Sequence, residues 1–382
     1  MRQGMLWGAI ACAVVRLATP AHGQAPAAWT TDARPLLRLG SDNATPDYLQ
    51  LVVGATRLPG GDVLVGDRGD YALRHYSPAG TLIRRFARKG GGPGEIRSLT
   101  RLWRCGDSVY TYDVDNGHRI SVFTLSGRYV REFRFSGPRE SPLPYQSACG
   151  ASGLFAHLGW DLRKDRRPGA FRSVVPLWTS RATPGVLRVI DSVPGSERWD
   201  TSRGDVVGDV LPMPLGRQPV LGVGRRHVFV GTADDFSVKV LDFTGRQVGT
   251  LRRTEAPIRR SAADLEALLD QQTAGRSGEA RARLARFYAE IELPETVPAY
   301  TALVVDALDL VWIKRYARPG ATVAGWSVFS PTGAHVAEAA LPSGLEVYEI
   351  GPDYVLGRAV DEAAGTPEVQ VYRLTRGANG RP

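Results

Sequence analysis

The feature that most constrains this chain is a strand pattern written twice in succession. Residues 61–86, GDVLVGDRGDYALRHYSPAGTLIRRF, and residues 106–133, GDSVYTYDVDNGHRISVFTLSGRYVREF, share one order of parts. Each has a turn, an apolar run, an Asp, a polar loop, a second apolar run, a Gly turn and a third strand. Gly80 and Gly127 hold the same place in the two copies. A repeat of about 47 residues with only strands inside it is the signature of a β-propeller blade.

The pattern continues along the chain. A third copy carries Gly153–His157, Phe171–Leu177 and Val186–Ile190, and a fourth spans residues 226–252 with Gly245 in the turn. The fifth has Leu310–Ile313, Trp326–Phe329 and the turn at residues 330–333. The sixth has Val347–Ile350, Tyr354–Leu356 and Val369–Leu374, then runs out without a fourth strand. Pro35–Leu39, at the other end of the chain, supplies that strand, and closure of the ring by the two termini removes exposed sheet edges. The expectation is an all-β, six-bladed β-propeller with four-stranded antiparallel blades. Second strands such as Val63–Val65 and Val311–Ile313 are apolar without alternation, as strands buried on both faces are.

One segment departs from the strand pattern. Ser261 to Asp264 resembles a capping box, and Leu265, Leu268 and Leu269 follow at helical spacing. Leu284, Phe287, Tyr288 and Ile291 then mark one apolar face of a second helix. This helical insert, about residues 261–291, falls between blades 4 and 5. It is expected to be either a packed surface decoration or a lid.

Residues 1–23 read as an export signal. Arg2 opens it, Met5–Val15 is an apolar stretch too short to span a bilayer, and Ala21-His22-Gly23 places small residues at the two cleavage positions. The domain expected to fold is 24–376, with 377–382 a flexible tail. The formal charge is +9. The basic residues are scattered, nearly all Arg, and not interleaved with stacking aromatics, so no nucleic-acid partner and no stable membrane insertion are expected. The expected partner of this exported, periplasmic or extracellular protein is a small molecule or another protein, and a monomer is expected. Cys105 and Cys149 end innermost strands of consecutive blades, so they are either a disulfide pair in an oxidising compartment or two separate buried thiols.

The chemistry-bearing residues are sparse. His75, His118, His157, His227 and His335 stand at different depths in their blades, so they do not converge on a shared metal site. No cofactor and no metal are expected. Asp113 to Gly117 lacks the spacing and the distant Glu of a calcium loop, and reads as a turn in which Asp113 accepts backbone amides. Aligning the ends of the second strands places Asp67, Asp113, Leu158, Thr232, Arg315 and Arg358 at one position of the six blades. Acids thus stand in blades 1 and 2, bases in 5 and 6. The face carrying these loops also carries the long connections, which makes it the default binding face. The candidate ligand-binding residues there are Asp67, Arg68, Asp113, Asp115, Thr232, Arg315 and Arg358. Arg358 is placed to pair with Asp67 across the seam, which leaves Arg315 to receive an anionic group.

The run Arg88-Lys89-Gly90-Gly91-Gly92-Pro93-Gly94-Glu95 is similar to the G-x-G-P-G-E/F signature of bacterial six-bladed propellers related to NHL repeats. The closing stretches PAYTALVVDALDLVWIKRY, WSVFSPTG, LEVYEIGPDYVLG and VQVYRLTR resemble those of secreted members of that group. The resemblance extends over about residues 29–376. It implies a propeller used mainly for binding, with a minority of enzymes among distant relatives. The functional expectation is a ligand-binding or protein-interaction module. The alternative is a hydrolase or lyase with its site at the channel mouth.

Overall fold

A computed structural model describes residues 26–40, 48–161, 167–181, 187–203, 206–361 and 365–377. The export signal at 1–23, residues 378–382 of the tail, and Val186 of the third repeat lie outside the described residues. Strands dominate, and they fall into successive antiparallel meanders. The first comprises Val52–Arg57, Val63–Asp67, Ala72–Tyr76 and Leu82–Phe86. The second comprises Leu99–Cys105, Ser108–Asp113, Arg119–Thr124 and Tyr129–Arg134. The third comprises Pro144–Cys149, Leu154–Gly159, Val174–Arg181 and Leu187–Pro194, and the fourth Val220–Val223, His227–Gly231, Ser237–Asp242 and Gln247–Arg252. The fifth comprises Tyr300–Val305, Val311–Arg315, Val323–Phe329 and His335–Pro342. The sixth joins Glu346–Ile350, Tyr354–Val360 and Pro367–Thr375 to the N-terminal strand Leu37–Leu39.

The physical reason for the repeat is burial on both faces of every middle strand. Val63–Asp67 and Leu154–Gly159 are buried at every position, whereas outer strands such as Tyr129–Arg134 alternate with solvent. Each seam between neighbouring meanders holds its own apolar cluster. Leu64 and Leu73 meet Leu99 and Phe123; Tyr110 and Ile120 meet Phe155; Leu158 and Leu177 meet Leu221 and Val230. Phe229 and Val238 then meet Ile313 and Phe329, Trp312 and Trp326 meet Ile350 and Val355, and Leu356 and Val371 return to Val52 and Val65. The first strand of each meander touches that of the next, and the sixth touches the first. The architecture is that of an all-β propeller. The turns between third and fourth strands repeat one backbone requirement: Gly80, Gly127, Gly245 and Gly333 stand at φ +87°, +76°, +94° and +101°. Only glycine adopts such angles without strain.

The N-terminal segment does more than the sequence suggests. Leu37–Leu39 pairs antiparallel with Val369–Val371, as expected for the sixth meander. A further strand, Ala27–Thr31, adds in parallel to the outer edge of the fifth meander and pairs at its end with Thr375 and Leu374, so the fifth and sixth meanders form one continuous sheet. Its Trp29 is buried beside Trp312, and Arg376 lies over both rings while bonding to Asp306.

Two expectations need correction. Phe171 does not belong to the third meander, whose third strand begins at Val174. Gly169–Phe171 pairs instead with Arg198–Asp200, which pairs with Val210–Pro212, in a separate three-stranded sheet. Prolines and glycines in this stretch obscure the boundary in sequence. The position aligned to Leu158 is also shifted: in the third meander the residue opposite the start of the first strand is Gly159, as Asp67 and Asp113 are in theirs.

Helix α1 (Ala262–Thr273) opens with the capping box, Ser261 accepting from the Asp264 amide and Asp264 accepting from that of Ser261. Helix α2 is Gly278–Glu290. Both stand between the fourth and fifth meanders and pack on Trp199 and Met213 of the small sheet. The buried Asp264 also accepts from Tyr316 and pairs with Arg318, so the loop of the fifth meander holds the start of α1. Among the described residues no helix is long and apolar enough to cross a membrane.

Candidate functional site

The loops following the second strands place the seven sequence candidates at one end of the ring. Asp67 is fully buried, accepts from the amides of Gln50, Leu51 and Gly69, and pairs with buried Arg74 at 3.0 Å. Asp113 repeats the device, accepting from the amides of Arg97 and Ser98 and facing Arg119 at 3.5 Å. Arg119 reaches on to the carbonyls of Gly91, Gly92 and Glu95, so the glycine-rich run is a braced connection between meanders. Thr232 donates to Asp234, and its carbonyl accepts from Arg172. Arg68 and Asp115 are exposed.

The bases of the fifth and sixth meanders are paired locally. Arg358 meets Glu346 at 2.7 Å and not Asp67, because Glu346 stands opposite it in the adjoining strand. Arg315 meets Glu338 at 3.2 Å, in a group that also gathers Arg253, Ser327 and His335 around that carboxylate. The acids of the first two meanders and the bases of the last two at the aligned position are therefore paired within their own meanders, and the structure does not bring them together as an open charged mouth. Cys105 and Cys149 form a disulfide, with Cα atoms 5.9 Å apart, joining the first strands of the second and third meanders.

What the ring does enclose is an axial cavity of about 640 Å³, walled by the first strands of all the meanders. Toward its far end, at the turns between first and second strands, Glu349 accepts from the hydroxyls of Thr56 and Tyr354. Arg57 lies 4.6 Å over the Tyr354 ring, and burial, with Glu349 beside it, raises the Tyr354 pKa.

A second cavity, of about 240 Å³, opens between the second and third meanders. Arg101, Trp103 and Ser147 line both it and the axial cavity, so the first strands of the second and third meanders form a wall common to the two. Two β-bulges shape it. The pairing of the first strand shifts at Thr100 in the second meander and at Tyr145 in the third. A bulge leaves its extra residue unpaired and re-aims that side chain. Here Thr100 donates to the Tyr112 carbonyl, and Tyr145 packs edge-on against Trp160, ring centres 5.1 Å apart. Arg198, from the small sheet, stacks on both rings at 5.8 and 5.2 Å. Val114, Leu143 and Pro144 complete an apolar lining.

The polar atoms of this pocket are mostly committed. Burial pushes the Tyr112 hydroxyl up to about 12, and it shares a hydrogen bond of 2.8 Å with His118 Nδ1. Tyr145 donates to Gln218, Ser147 bonds to His157, and the Trp103 indole donates to the Ser147 carbonyl. Exposed Arg101 donates, among the described residues, only to the Thr100 carbonyl. Neither Arg101 nor Arg198 has a carboxylate partner among the described residues. None of the pocket's key residues, Arg101, Trp103, Tyr145, Trp160 and Arg198, was singled out from sequence. The usable signal was the aromatic enrichment of the second and third repeats at their strand starts and ends.

No family model matches the chain, and no curated protein matches it in sequence. Among solved structures, a member of the DUF4221 family from Bacteroides vulgatus superposes with a TM-score of 0.51 at 10% identity, over 91% of this chain and 99% of that one. An exported-protein candidate of Bacteroides fragilis gives 0.48 at 11% identity, over 92% and 99%. The PQQ-bound aldose sugar dehydrogenase of Streptomyces coelicolor gives 0.46 at 13%, again over 92% and 99%. The first of these likenesses, taken with the meanders, shows an all-β propeller fold and nothing narrower.

Proposed function

We propose that this chain is an exported six-bladed propeller, similar to NHL-repeat proteins, that acts as a binding module for a small molecule. Six seam clusters and the return of the sixth meander onto the first support the blade number. The apolar stretch and small residues within 1–23 support export. The observation that carries the binding reading is the aromatic side pocket beside the axial cavity, the two sharing Arg101, Trp103 and Ser147 as a common wall. Concave, largely apolar sites with a few oriented polar groups are where proteins hold small ligands. A bound ligand stabilises the folded state, by about 2.7 kcal/mol at a hundredfold excess over its Kd. Thermal unfolding of the mature protein is therefore measured against a panel of carboxylic acids, amines, saccharides and short peptides. At least one class is expected to raise Tm in a saturable way. A flat response across all four classes removes the small-molecule reading.

A further inference from the structure

The side pocket offers apolar ring faces, the guanidinium of Arg101 and, among its lining residues, no carboxylate. Its hydroxyls on Tyr145 and Thr100 already donate within the protein, and that of Tyr112 is bonded to His118. The guanidinium of Arg101 keeps most of its donors free and has no acidic partner among the described residues. His118 spends Nδ1 on the Tyr112 hydroxyl. A saccharide brings many hydroxyls that each need a partner, and such a wall leaves most of them unmet at a cost of about 1–3 kcal/mol each. A cation meets Arg101 and Arg198 and is repelled. A flat apolar ring, by contrast, packs on Tyr145 and Trp160, and an anionic group satisfies a guanidinium with short, charge-assisted bonds. A cavity of roughly 150 Å³ already admits benzene, so the 240 Å³ here admits a ring with a short acidic arm.

We infer that the pocket between the second and third meanders binds a small aromatic carboxylate, its ring against Tyr145 and Trp160 and its carboxylate on Arg101. This rests on the binding reading above and names the ligand class for the same site. The position of Arg101 supports it: the residue lines the side pocket as well as the axial cavity, and it is exposed. Arg198 already covers the Tyr145–Trp160 pair from the small sheet, adding positive charge at the rim and fixing the ring that the ligand meets.

The test uses the mature protein, tryptophan fluorescence and calorimetry, with benzoate, phenylacetate and indole-3-acetate as probes. Their neutral amides and galacturonate are the comparisons. The acids are expected to bind with a change in tryptophan emission and at least tenfold more tightly than the matching amides. Arg101→Gln is expected to abolish that preference, and Trp160→Ala to weaken acids and amides together. Arg246→Ala, in an outer turn of the fourth meander, leaves both unchanged. Circular dichroism of each variant separates loss of binding from loss of fold, and both targeted side chains are partly exposed. Equal binding of acids and amides overturns the anionic pole. Tighter binding of galacturonate overturns the aromatic class. Failure of every aromatic acid, while another class in the thermal panel still stabilises the protein, overturns this inference and leaves the binding reading standing. Failure of all classes removes both.

Discussion

Two adjacent seams of this ring are built from the same strand pattern and end differently. Between the first and second meanders, Asp113 takes the amides of the incoming chain at Arg97 and Ser98, and Arg119 ties the glycine-rich connection down. Between the second and third, the equivalent position is Gly159. There Ser141 fills the space, its hydroxyl bonding to the carbonyl of Trp160, and a Cβ on Gly159 would lie 2.4 Å from that oxygen. A carboxylate at this register seals the end of a seam with a buried ion pair. A glycine leaves it to a hydroxyl, and the neighbouring aromatics open a pocket. The pocket thus lies where the chain departs from its repeat.

The most damaging way to probe this contrast is to remove each seal. Asp113→Ala strips Arg119 of one carboxylate and leaves the buried Ser98 amide without its acceptor. Breaking a buried pair of this kind costs about 3–5 kcal/mol. Ser141→Ala removes one neutral hydroxyl and is expected to cost about 1 kcal/mol. Urea unfolding of both variants reads the difference directly. Equal losses would show that the two seams are closed by comparable forces and that the comparison is false.

The disulfide bears on the open seam alone. Cys105 and Cys149 join the strands whose other ends carry the pocket bulges, so the bridge fixes the two walls to each other where, among the described residues, no ion pair does. The double replacement by Ala is expected to lower stability by about 2–4 kcal/mol, chiefly through the freed unfolded chain. The midpoint in urea should fall and the slope should rise, because the freed unfolded chain exposes more surface. A shift equivalent to less than about 0.5 kcal/mol means that packing of Phe155 on Trp103 and Tyr110 already holds the walls together.

The sequence makes the propeller legible because its signal is local and repeated: alternating turns and buried middle strands recur, and Gly80, Gly127 and Gly245 mark the turn each time. The terminal strand at Leu37–Leu39 is legible because the sixth repeat visibly lacks a partner. The site is not. Asp67 and Arg358 stand at aligned positions in the chain, yet each side chain answers to its nearest partner, Arg74 and Glu346, and no alignment of repeats shows that. A bulge moves a side chain such as Tyr145 without leaving a mark in composition. The parallel strand Ala27–Thr31 was invisible for a similar reason, since its partner lies at the opposite end of the sequence.

The third meander also differs from the first two in what its second strand buries. Opposite the first strand, the positions held by Val65 and Thr111 become His157, which bonds to Ser147 and Ser180 and stacks between Phe155 and Trp178. Phe135 closes the ring edge-on, and no charged group faces the imidazole in these contacts. Burial lowers its pKa from 6.5 to about 3. The unfolded chain therefore binds a proton in a range where the folded one does not. Stability from this group is complete above pH 6.5 and drains away as the pH falls toward 3. One pH unit below the ordinary value, at about pH 5.5, the deficit is about 1.4 kcal/mol. His157→Gln keeps a polar group between the two serines and removes the titration, so its stability should fall less steeply than that of the wild type between pH 6.5 and 5. Parallel profiles from urea unfolding would mean that His157 is protonated in the folded state, and that the third meander carries no acid sensitivity the first two lack.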